Sequence, residues 1–90
     1  MTTQTTASRP VTKQETEEWV AASWRALGLT VEGPASDFFA VGGTSLAAAR
    51  FVAGAEELFG EDVLPPEDFF EDSSVAAVAA LILRNTGGES

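Results

Sequence analysis

One serine stands apart from the other side chains that could carry chemistry in this chain. Residues 37–46 read Asp37-Phe38-Phe39-Ala40-Val41-Gly42-Gly43-Thr44-Ser45-Leu46, an aromatic pair and two glycines leading onto a serine where an apolar run begins. Consecutive glycines open backbone angles closed to other residues and let another molecule approach closely. The first turn of a helix points unpaired N–H groups and a positive partial charge outward, so an anion attached at Ser45 would be stabilised. Ser45 is the candidate site residue, with Gly42, Gly43 and Thr44 beside it. On the local pattern alone, the commoner reading is that Thr44 or Ser45 is a simple N-cap and Gly42-Gly43 a simple turn.

The rest of the sequence narrows the chemistry. It has no His and no Cys, which removes Ser-His-Asp and Cys-His triads, the usual zinc sites and every disulfide. A hydrolase nucleophile elbow needs glycine two residues after its serine, where Ala47 stands, and a P-loop needs lysine before its Ser or Thr. The acids between Glu61 and Asp72 do not follow the D-x-[DN]-x-[DN]-G spacing of a calcium loop and are interrupted by Pro65-Pro66, so they read as a solvated surface and no metal site is assigned. Fourteen acids against five bases give a formal charge of -9, which repels a phosphate backbone or an anionic bilayer and favours basic protein partners. No stretch reaches the roughly 18 apolar residues of a membrane helix and no signal peptide is visible, leaving the cytoplasm as the expected location.

These residues must be positioned by helices. Ninety residues suffice for one small domain with one core, and fifteen alanines with few strand-forming runs predict an all-α fold. The first helix starts at the capping box Thr12 to Glu15 and stops at Gly28, with Val20, Trp24 and Leu27 as its core stripe and Trp19 at the edge. Gly28 to Gly43 is a long connection pinned to the core by Phe38-Phe39 and Val41, and Phe39 is expected to be the buried anchor. A second helix spans Ser45 to Phe59, and a short one spans Leu64 to Phe70 with Pro65 or Pro66 in its first positions. The last runs from about Ser74 to Asn85 with Val75, Val78, Ala79 and Ile82 on one face. The expected architecture is a small four-helix bundle, three main helices plus a short one. Residues 1–11 and 86–90 are polar and expected to be flexible tails around a domain at 12–85.

Asp37-x-Phe39-x-x-Gly42-Gly43-x-Ser45-Leu46 resembles the core motif of the peptidyl carrier, or thiolation, domains of nonribosomal peptide synthesis, within the acyl carrier superfamily. The likeness extends through Trp24-x-x-Leu27-Gly28, Arg50-Phe51, Phe59-Gly60, Leu64-Pro65, Phe70-Glu71 and Ser74-Val75, about Thr12 to Leu83. It implies that Ser45 receives phosphopantetheine from coenzyme A through a phosphopantetheinyl transferase. The arm's thiol then holds an aminoacyl or peptidyl group as a thioester, so the chain needs no cysteine of its own. The phosphodiester would sit at a helix N-terminus, where it is favoured by about 0.3–1 kcal/mol at an exposed site.

Two positions depart from the family's habit: Thr44 stands where His or Asp is common, and Ser73 where Pro is frequent. Carriers of fatty acid and polyketide synthesis usually show Asp-Ser-Leu, so Gly43-Thr44-Ser45-Leu46 points to the peptidyl branch. The resemblance implies a carrier without catalysis of its own, served by an adenylation enzyme and by condensation or tailoring enzymes. A monomer is expected, and Met1 with its polar tail suggests a freestanding carrier. The alternatives are an acyl carrier for a polyketide or fatty acyl group, and a small acidic interaction module without a prosthetic group.

Phasing the second helix at about 100° per residue gathers Ala48, Phe51, Val52, Ala55, Leu58 and Phe59 on a core face. Leu46, Ala49 and Ala53 fall opposite, beside Arg50 and Glu57. That exposed apolar strip is the expected partner surface, extended by Phe69 or Phe70 of the short helix.

Overall fold

The structure, a computed structural model, describes residues 10–86. Helix α1 is Lys13–Ala26. Its start is fixed reciprocally: Thr12 Oγ1 accepts from the Glu15 N–H at 3.1 Å, and Glu15 Oε1 accepts from Thr12 N–H at 3.3 Å and Val11 N–H at 3.1 Å. The Val11 and Thr12 backbone donors, and then the Thr12 hydroxyl, hold the Glu15 carboxyl below its ordinary range against a small opposing desolvation. The helix ends where Gly28 turns to φ 93°, as its glycine predicts. Helices α2 (Ser45–Phe59), α3 (Pro66–Glu71) and α4 (Val75–Thr86) follow. Among the described residues there are four helices and no strand, in agreement with the all-α expectation. Thr86 closes α4 instead of opening a tail, while residues 1–9 and 87–90 of the expected tails lie outside the described residues.

The core is one cluster. Val20 and Trp24 of α1 meet Ala48, Phe51, Ala55 and Phe59 of α2, Phe69 of α3, and Val75, Val78, Ala79 and Ile82 of α4. Trp24 is fully buried, with its ring edge-on to Phe38 at 5.1 Å and to Phe51 at 5.8 Å, and its Nε1–H has no acceptor among the described residues. Leu27 and Trp19 are partly buried against the same cluster, Trp19 over Phe51 and Phe59. Helix α4 is buried more widely than its expected face, because Leu81 and Leu83 are also covered.

Three expectations are corrected. Phe38 is the anchor of the long connection at 0% exposure, whereas Phe39 is 38% exposed. Both residues lie in a turn, and it is Phe38 whose backbone is paired, its N–H with Ser73 and its carbonyl with Gly43, so that its ring enters the core among Trp24, Phe51 and Phe69. Phe69 is buried at 1% exposure and belongs to the core, leaving Phe70 at 55% as the exposed aromatic of α3. Leu58 is exposed instead of facing the core, since the buried positions of α2 are 48, 51, 55 and 59 and Leu58 lies to one side of that stripe.

Candidate functional site

The long connection presents Ser45 because it is tied down along its length. Arg25 Nη2 donates to the Val31 carbonyl at 2.8 Å, and Ser36 Oγ accepts from the N–H groups of Glu32 and Gly33. The connection then satisfies the start of α4: Val75 N–H donates to Ser36 O at 3.0 Å and Ala76 N–H to Pro34 O at 2.9 Å, while Ser74 Oγ accepts from Ala77 N–H. Phe38 N–H donates to Ser73 O at 2.9 Å, beside an isolated antiparallel bridge between Asp37 and Ser74. The Ser73 hydroxyl is itself buried and donates to the Phe69 carbonyl at 2.6 Å, so the residue in the departing position joins α3 to the loop that carries the motif. Sequence reasoning missed this role, because the pairing of Phe38 with Ser73 joins distant parts of the chain and leaves no local pattern.

Asp37 next shapes the turn: its Oδ2 accepts from Phe39 N–H and Ala40 N–H, both at 3.1 Å. Gly42 adopts φ 106°, the left-handed region that favours glycine, and Gly43 N–H returns to Phe38 O at 2.9 Å. The chain then enters α2.

Thr44 and Ser45 divide the two roles that the sequence left open between them. Thr44 is the N-cap: its Oγ1 accepts from Ala47 N–H at 3.1 Å and its carbonyl from Ala48 N–H at 2.8 Å. Ser45 is the first residue of α2 and is exposed, and its hydroxyl has no hydrogen-bond partner among the described residues. The Ser45 and Leu46 N–H groups are also without acceptors there, at the positive end of a 15-residue helix. A free hydroxyl beside uncommitted donors fits a phosphodiester, in which the serine oxygen would become the ester oxygen and the N–H groups would be available to the anionic oxygens. Thr44 adds no charge to that setting.

Leu46 at 64% exposure, Ala49, Arg50 and Ala53 are all exposed, as the phasing predicts. A groove of about 370 Å³ runs between α2 and α3, bordered by Ser45, Ala49, Val52, Ala53, Phe69 and Phe70 among others. Phe70 extends the surface further by stacking on Phe39, with ring centroids 5.5 Å apart and planes 27° apart. The expected apolar surface is thus brought together with Ser45, with Phe39 in place of Phe69 as its second exposed ring. Among the described residues no group of acidic side chains is placed to hold a metal ion, and no helix is long and apolar enough to cross a membrane.

Comparison with known proteins agrees with this geometry. The family described as "Phosphopantetheine attachment site" matches residues 18–82. Phosphinothricin tripeptide synthetase PhsC of Streptomyces viridochromogenes is 34% identical over 76 residues, which covers 83% of this chain and 7% of that protein. The chain therefore corresponds to a small part of that relative's length. No solved structure matches.

Proposed function

The chain belongs to the phosphopantetheine attachment-site family, and from that membership we propose that Ser45 is the attachment residue and that the protein is a peptidyl carrier of nonribosomal peptide synthesis. Members of the family carry a covalently bound phosphopantetheine group. The observation that carries the assignment to Ser45 is the division of labour at the start of α2, where Thr44 caps the helix and Ser45 is left exposed with an unengaged hydroxyl. A phosphopantetheinyl transferase would deprotonate that hydroxyl and join its oxygen to the pyrophosphate phosphorus of coenzyme A that bears the pantetheine, the nucleotide leaving as the old P–O bond breaks. The arm supplies the thiol that this cysteine-free chain lacks, and aminoacyl or peptidyl groups ride on it as thioesters.

The chain's own contribution is presentation. The α2 N-terminus orients the ester, and the loop fixes it relative to the core. We read the protein as a non-catalytic, monomeric carrier in the cytoplasm, loaded by an adenylation enzyme and unloaded by condensation or tailoring enzymes. Those partners dock on Leu46, Ala49, Ala53, Phe39 and Phe70. Glu56 borders the groove and the sequence carries a formal charge of -9, so a partner that brings a basic group beside an apolar contact fits this surface.

Intact-protein mass measurement after incubation with coenzyme A and a transferase tests the assignment. Wild type should gain one phosphopantetheine and Ser45→Ala none, with unchanged thermal unfolding. Full modification of Ser45→Ala would overturn it, and subsequent incubation with adenylation enzymes distinguishes aminoacyl loading from acyl loading.

A further inference from the structure

We propose that Gly43 and Phe38 form a positioning pair for Ser45: Gly43 lacks a side chain so that the Phe38 ring can lie against it, and this contact sets where α2 begins. The inference rests on Ser45 being the attachment residue and deepens that reading.

The two glycines before Thr44 are needed for different reasons. Gly42 has φ 106°, and a Cβ there would meet only Leu29 Cδ2, at 4.0 Å. Its requirement is conformational. Gly43 lies outside the left-handed region, so that strain does not apply to it, but a Cβ there would collide with Cδ2 and Cε2 of the Phe38 ring and lie 2.6 Å from the Phe38 carbonyl oxygen. The missing side chain would point at the core, away from any arm or enzyme approaching Ser45. Gly43 is therefore bare for an internal reason.

Phe38 has little freedom to yield. Its ring is buried among Trp24 at 5.1 Å, Phe69 at 5.5 Å and Phe51 at 6.5 Å, and its backbone is paired on both sides, N–H to Ser73 and carbonyl to Gly43. In a close-packed interior, a methyl group added at Gly43 moves the glycine segment outward and leaves the ring where it is. Thr44 and Ser45 follow directly in the chain. The shift would strain the two bonds that Thr44 makes to Ala47 and Ala48, and would move the Ser45 hydroxyl from its place relative to the docking surface. Misplacement of a reacting group by about 1 Å can cost up to about a hundredfold in rate.

The test compares wild type, Gly43→Ala, Phe38→Leu and the double variant Phe38→Leu/Gly43→Ala, all at a temperature where circular dichroism shows each one that folds to be fully folded. Two readouts are taken: kcat and KM for phosphopantetheine attachment by a transferase, and amide exchange of Ala47 and Ala48 in the unmodified protein. Gly43→Ala should lose about tenfold to a hundredfold in kcat with a smaller change in KM, and its Ala47 and Ala48 amides should exchange faster. Trimming the ring in the double variant should return part of both losses, because it relieves the contact with the ring and leaves the one with the Phe38 carbonyl. Wild-type attachment and exchange in Gly43→Ala overturn the proposal. So does a loss of attachment with unchanged exchange that Phe38→Leu fails to rescue, which would make Gly43 a contact for the transferase. If Gly43→Ala does not fold, the double variant must; its failure where Phe38→Leu alone folds also overturns the pairing. Failure of wild type to accept the arm would refute the assignment of Ser45, while the exchange comparison still judges the contact.

Discussion

The Phe38 backbone N–H donates to the Ser73 carbonyl at 2.9 Å, and the Ser73 hydroxyl donates to Phe69, so the loop that leads to Ser45 is stitched to the link between α3 and α4. The Phe38 ring meets Phe69 at 5.5 Å on the same route. The loop that leads to Ser45 and the short helix α3 are thereby held as one unit.

Truncation separates the two neighbouring phenylalanines. Phe38→Ala removes a fully buried ring and should cost about 3–5 kcal/mol, a large share of a small domain's stability. Phe39→Ala removes a half-exposed ring stacked on Phe70 and should cost about 1 kcal/mol, the scale of a surface aromatic pair. Urea unfolding of both variants measures the difference, and equal losses would place the anchor wrongly.

Capping by Thr44 predicts that Thr44→Ala loses about 1 kcal/mol, while Thr44→Ser and Thr44→Asp stay within a few tenths of wild type. Thermal melts at neutral pH check this. Should Thr44→Ala melt with wild type, the hydroxyl is not holding the start of α2.

A charge placed on the docking strip should disturb partners and leave the fold alone. Ala49 is exposed on α2 and borders the groove, so Ala49→Glu should melt like wild type yet slow loading or downstream transfer by about tenfold or more, because a carboxylate would be pressed into an apolar contact. Unchanged rates with adenylation and condensation enzymes alike would remove this face from consideration.

The first turn of α1 carries a pH dependence with a defined sign. Glu15 titrates below its ordinary value because the Val11 and Thr12 N–H groups stabilise its charged form. A depressed folded-state pKa contributes stability that is present above the unfolded value and is lost as pH falls through the folded one. Wild type should therefore melt above Glu15→Gln near neutral pH, and the gap should close on acidification through and below the carboxylate range. A gap that is constant with pH would assign the effect to hydrogen bonding alone.

Local sequence was enough to determine the helices. The Thr12–Glu15 box, Gly28, Pro66 at the start of α3 and Ser74 each act within a few residues, and each marks a boundary where the structure has one. The absence of His and Cys narrowed the chemistry, and it was the likeness of residues 37–46 to the peptidyl carrier motif that pointed to a modified serine at position 45. Tertiary structure decided which of two adjacent aromatics points inward. Phe38 and Phe69 are buried while Phe39 and Phe70 stack outside, and the periodicity of so short a loop and so short a helix does not distinguish them. It also decided why Gly43 is glycine and why a serine at position 73 suffices. Both answers lie in contacts with Phe38 and Phe69, near in the chain but turned toward their partners by packing in the core and by backbone pairing between Phe38 and Ser73, which no spacing along the chain encodes.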